Sequence, residues 1–79
     1  MFQKTVQKEF RCYLNTQEVA RLSNRLLIVA TAVDNPALDD ETGSILLLEL
    51  QDIKRGFISS DYKKKIEVLN LISQMEYRL

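Results

Sequence analysis

From Leu46 to Leu79 the apolar side chains return at intervals of three and four, and that spacing limits what the chain can fold into more than any other feature. Leu46, Leu50, Ile53 and Phe57 form one series; Tyr62, Ile66, Leu69 and Ile72 form a second, with Val68, Leu71, Met75 and Leu79 as an adjoining stripe. Residues three and four apart share a face in a helix and not in a strand, so both segments are expected to be helical. Lys54-Arg55-Gly56 supplies cations for the negative end of the first helix dipole and a glycine suited to a left-handed C-terminal position, which places its end at Gly56. Ser59, Ser60 and Asp61 then offer an N-cap and an anionic first turn, placing the second helix from about residue 60 to the C-terminus. Joined by Phe57-Ile58-Ser59, the two read as an αα-hairpin.

A third helix is expected from Thr16 to Asp34, where Asn15 can cap, Glu18 follows as in a capping box, and Val19, Leu22, Leu26, Val29 and Val33 keep helical spacing. The β-branched Ile28, Val29, Thr31 and Val33 leave a strand there as the alternative. Pro36 and the run from Asp39 to Ser44 mark the break before the next element. The opening segment fits two templates. At helical period Phe2, Val6, Phe10 and Tyr13 share a face; at period two Val6, Phe10, Cys12 and Leu14 alternate with polar neighbours. Helix-forming Gln3-Lys4 and Gln7-Lys8-Glu9 favour the first. The fold class expected is all-α: a small bundle of three to four helices with a C-terminal αα-hairpin, its N-terminal segment either helix or pairing strand. At 79 residues it is expected to be one domain, 1–79.

The formal charge is zero, yet the charges are sorted along the chain. Five bases against two acids give residues 1–25 a charge of +3; six acids and no base give 26–52 a charge of −6; six bases against three acids return +3 over 53–79. A domain banded in this way is suited to steering and registering a partner.

Several chemistries are excluded outright. The chain has no histidine, which removes nucleophile pairs built on it and the commonest metal ligand. Two separated glycines, Gly43 and Gly56, cannot form a phosphate-cradling loop. Asp39, Asp40 and Glu41 lack calcium-loop spacing and suit the start of a helix instead. Lys63, Lys64 and Lys65 spread around a helix rather than lining it and read as a solvated face, whereas Arg21 and Arg25 share one. Cys12, beside Arg11, has no base near it in sequence and reads as a small hydrophobe. No cofactor, metal or small-molecule substrate is expected, and no enzyme. No apolar run approaches the ~20 residues of a membrane span, no secretory signal is legible, and a lone cysteine suits a reducing compartment, so a cytoplasmic location is expected.

Glu9-Phe10-Arg11-Cys12-Tyr13-Leu14-Asn15-Thr16-Gln17-Glu18-Val19 resembles the strand-into-helix opening of ribbon-helix-helix DNA-binding proteins, over about residues 5–55. The resemblance implies a dimer whose paired strands read the major groove, here with Gln7, Glu9, Arg11 and Tyr13. The acids Asp39, Asp40 and Glu41 stand where that family clamps phosphates, and the net charge is zero, so nucleic acid is the second choice of partner. Leu50 to Lys65 is similar to the hairpin of small helical co-chaperones of type III secretion systems.

The function expected is protein–protein association, as adaptor, regulator or co-chaperone, with another protein or with a second copy of the chain. Leu26–Val33, Ile45–Leu48 and the double stripe of the last helix offer more apolar surface than so small a core needs. The partner-contacting residues expected are Leu26, Val29, Val33, Leu71, Met75 and Leu79.

Overall fold

In the computed structural model, residues 1–10 and 17–79 are described, and they form four helices: α1 Phe2–Glu9, α2 Gln17–Val33, α3 Asp40–Ile58 and α4 Lys65–Arg78. No strand occurs among the described residues. The chain is therefore the all-α bundle that its periodicity implies. Successive helices pack against one another and α4 also touches α2, so α2 meets all three others. Its spaced residues Val19, Leu22, Leu26, Val29 and Val33 all enter the core, which settles the helix-or-strand ambiguity there. They meet Leu50, Ile53 and Phe57 of α3, and Val68, Leu71, Ile72 and Met75 of α4, in one apolar cluster.

The N-terminal segment is helical over Phe2–Glu9, with Phe2 and Val6 buried and Phe10 half-buried against the core. The alternative strand over residues 5–14 does not form at its first half; its remainder, with Arg11, Cys12, Tyr13 and Leu14, lies outside the described residues, as do the expected cap Asn15 and the expected first helical residue Thr16. Eight residues make a helix too short to persist alone, and tertiary contacts hold this one. At its start, Asp34 from the end of α2 accepts from the N–H groups of Phe2 (2.9 Å) and Gln3 (2.8 Å) and from the Met1 ammonium (2.8 Å). That carboxylate satisfies donors a helix start leaves unpaired and complements the positive end of its dipole. At the other end the Phe10 ring stacks on Tyr62 (centroids 5.5 Å apart) and Phe57 (5.8 Å), and the Tyr62 hydroxyl donates to Glu9 Oε2 at 3.1 Å.

The α3 helix starts where the acidic run suggests, with Asp39 as N-cap accepting from the Thr42 N–H at 2.8 Å. Its end departs from expectation. The helix runs through Gly56 to Ile58, and neither glycine has a positive φ. Gly56 instead permits close approach: a Cβ there would lie 2.6 Å from Leu22 Cδ2, so the missing side chain lets α2 seat against α3. The helix is closed two residues later by Ser60, whose hydroxyl donates to the Phe57 carbonyl at 2.8 Å, and by Lys65, whose ammonium donates to the Ile58 and Ser60 carbonyls at 3.1 and 3.3 Å.

The last helix consequently begins at Lys65 and not near residue 60. Ser60 is engaged with α3, its oxygen also accepting from the Tyr62 N–H at 3.3 Å, and Tyr62 is held in the aromatic cluster, so neither is free to open α4. The face of α4 shifts as well. Val68, Leu71, Ile72 and Met75 are buried, while Ile66 is 70% exposed.

Candidate interaction surface

Five of the six apolar residues expected to meet a partner are inside the bundle: Leu26, Val29, Val33, Leu71 and Met75 are each no more than 7% exposed. Leu79 is half-buried, one methyl 3.8 Å from the position of an added Cβ on Gly43. These side chains build the chain's own core, because α2 is surrounded by three helices and takes up stripes that in isolation read as surplus.

Other large apolar side chains are left outside, among them Ile58, Ile66 and Tyr77 toward the C-terminus and three on the α2–α3 pair. Ile28 on α2 and Ile45 and Leu48 on α3 are 70%, 61% and 68% exposed. Antiparallel register brings them to the same level. Arg25 reaches Glu49 and Asp52, and Leu22 lies over Gly56, so Ile28, one turn beyond Arg25, stands beside the Ile45–Glu49 turn. On α3, Glu41, Ile45, Leu48, Asp52 and Arg55 are all exposed and follow one another at intervals of four and three, opposite the buried Leu50, Ile53 and Phe57. That second stripe is the signal in the sequence that points to this surface, since Ile45 and Leu48 fall off the series that carries the core.

An ion-pair network pins the two helices beneath it. Arg25 donates from Nε to Glu49 Oε2 and from Nη2 to Glu49 Oε1, both at 3.0 Å, and from Nη2 to Asp52 at 2.8 Å. Glu49 foremost, then Asp52, hold the guanidinium well above its ordinary pKa, and Arg25 in turn holds Asp52 below the usual carboxylate range. The fork geometry fixes register more than it adds stability at such exposure. Beside it an open cleft of about 420 Å³ is lined by Glu18, Arg21, Leu22 and Arg25.

The remaining candidates are placed as follows. Asp39 serves as the α3 cap, and Thr42 keeps its carboxyl below the ordinary value, while Asp40 and Glu41 face solvent. Lys65 closes α3, and Lys63 and Lys64 are exposed. Gln7 and Glu9 are on α1, where they do not alternate across a strand; Arg11 and Tyr13 lie outside the described residues. Among the described residues, no three acidic or cysteine side chains are grouped so as to hold a metal ion, and no helix is long and apolar enough to cross a membrane. Comparison with protein-family models, with curated proteins and with solved structures finds no match.

Proposed function

We propose that this chain acts by binding protein, as an adaptor or regulator without catalytic activity, and that it docks through the outer face of the α2–α3 pair. One observation carries the reading: Ile28, Ile45 and Leu48 are more than half exposed on two helices whose register is locked by Arg25, Glu49 and Asp52. Each such side chain gains about 1.5–3 kcal/mol on full burial, and a rigid support spares the entropy of ordering it at the moment of binding. Charged groups around an apolar centre form the rim expected of a protein interface. A cytoplasmic setting suits the single cysteine. The DNA-binding alternative loses its support at Gln7 and Glu9, which are helical, and the zero net charge gives no electrostatic footprint for phosphates.

The test compares the wild-type chain with an Ile45→Ser/Leu48→Ser variant in sedimentation velocity and in retention of protein from its source cells. Self-association or a retained protein that the variant loses, with its circular dichroism unchanged, is the expected result. A wild-type monomer that retains nothing beyond what the variant retains overturns the proposal.

A further inference from the structure

The exposed stripe on α3 has a symmetry that names its occupant. Seven residues before Leu48 stands Glu41, and seven after it stands Arg55, both exposed on the same face. Among the described residues neither takes part in an ion pair; Asp52, on the same face, is bound to Arg25 and feels Arg55 only through its charge. The 4-3-4-3 spacing of the stripe is that of a seam along which two helices pack side by side.

We infer that the partner is a second copy of this chain, packed α3 against α3 in antiparallel orientation about a two-fold axis through Leu48. This rests on the association reading above and adds the identity of the partner. An isologous interface requires a surface complementary to itself, and this one has an apolar centre, an acid at one end and a base at the other. With the axis at Leu48, that residue meets its own symmetry mate, Glu41 lies opposite Arg55 of the second copy, and Asp52 lies opposite Ser44. Ion pairs then form twice, once at each end. Moving the axis to a point between Ile45 and Leu48 sets Glu41 against Asp52 of the second copy, a juxtaposition of like charges that opposes this register. A parallel pairing sets Glu41 against Glu41 and Arg55 against Arg55. The charges thus select one arrangement of the apolar seam.

The full-length chain is tested by sedimentation equilibrium and by cross-linking. The wild type is expected to dimerise with a dissociation constant of roughly micromolar or weaker, since area alone does not guarantee affinity. Glu41→Arg should weaken the dimer on the order of tenfold, as should Arg55→Glu, and the double exchange should restore most of the loss. In a Cys12→Ser background, Leu48→Cys should form a disulfide-linked dimer under mild oxidation. Glu41→Cys should not, because an antiparallel register holds the two copies of that position roughly 20 Å apart. A wild-type monomer up to about 1 mM overturns the second-copy proposal while leaving association with another protein standing, if that protein is lost with Ile45→Ser/Leu48→Ser. A dimer indifferent to the charge exchange, or one cross-linked through Glu41→Cys and not through Leu48→Cys, overturns it as well.

Discussion

Gly43 and Gly56 both lie within α3 at ordinary helical φ, yet a methyl group added at each meets different surroundings. At Gly43 the nearest foreign atom is Leu79 Cδ2 at 3.8 Å, an ordinary contact. Gly43→Ala should therefore stabilise the fold by up to about 1 kcal/mol, through helix propensity and a more restricted unfolded chain. At Gly56 the new Cβ falls 2.6, 3.0 and 3.3 Å from Leu22 Cδ2, Cδ1 and Cγ, so the whole branched end of a buried side chain has to move. Overpacking of that kind costs about 1–3 kcal/mol and exceeds the propensity gain. Gly56→Ala should lower the urea midpoint, and Leu22→Val should partly relieve it in the double variant. Additive effects of the two substitutions, or a raised midpoint for Gly56→Ala, would show that Leu22 does not set the cost. The residues around Gly56 resemble a helix stop because Lys54-Arg55-Gly56 is a local pattern. Leu22, 34 positions upstream, decides the matter and cannot be read from that pattern.

Among the elements, α1 depends most on its neighbours. Its eight residues are held at one end by Asp34 and at the other by the Phe10, Phe57 and Tyr62 rings. Burial opposes ionisation of Asp34, but the N–H groups of Gln3 and Phe2 and the Met1 ammonium outweigh it and hold the carboxyl down to about 2. The unfolded chain's aspartate titrates near 3.9, so the carboxylate's contribution is complete above about pH 4 and is lost as pH falls through about 2. Asp34→Ala should cost about 1 kcal/mol at neutral pH, with amide exchange accelerated more in residues 2–9 than in α3 or α4. The gap between variant and wild type should narrow toward pH 2; a gap that stayed constant from pH 7 to 2 would mean that the carboxylate is not what caps α1. The same dependence explains which elements were legible. Helix spacing is local, so α2, α3 and the body of α4 follow from it, and the acids Asp39, Asp40 and Glu41 mark the start of α3. The start of α4 does not follow, because Ser60 bonds back to Phe57 and Tyr62 is drawn to Phe10. Nor does the choice between two apolar stripes on one helix, which is why Leu71 and Met75, expected to meet a partner, are buried while Ile66 of the other stripe is exposed.

Across the whole molecule, folding leaves the sorted charges at opposite ends of α3. With 19 residues this helix spans about 28 Å, most of the 35 Å long axis. Asp40 and Glu41 stand exposed at its start, Arg55 near its end, and Lys63 and Lys64 on the turn that follows. The acidic middle of the chain is thus only partly neutralised within the fold, by Arg25 on Glu49 and Asp52 and by the Met1 ammonium on Asp34. Two such molecules attract end over end in the antiparallel arrangement and repel in the parallel one. Because the groups concerned face water, the attraction is screened beyond about 10 Å at 0.1 M salt. The core, by contrast, is apolar, and exposed ion pairs add only about 0.2–1 kcal/mol each to the fold. Raising sodium chloride from about 0.05 to about 0.5 M should therefore slow association and weaken the dimer several-fold, while the thermal midpoint measured below the dimer's dissociation constant hardly moves. Sedimentation and thermal circular dichroism on one set of samples separate the two effects. A dimer that tightens with salt would show that the apolar seam alone holds it, and that Glu41 and Arg55 do not set its register.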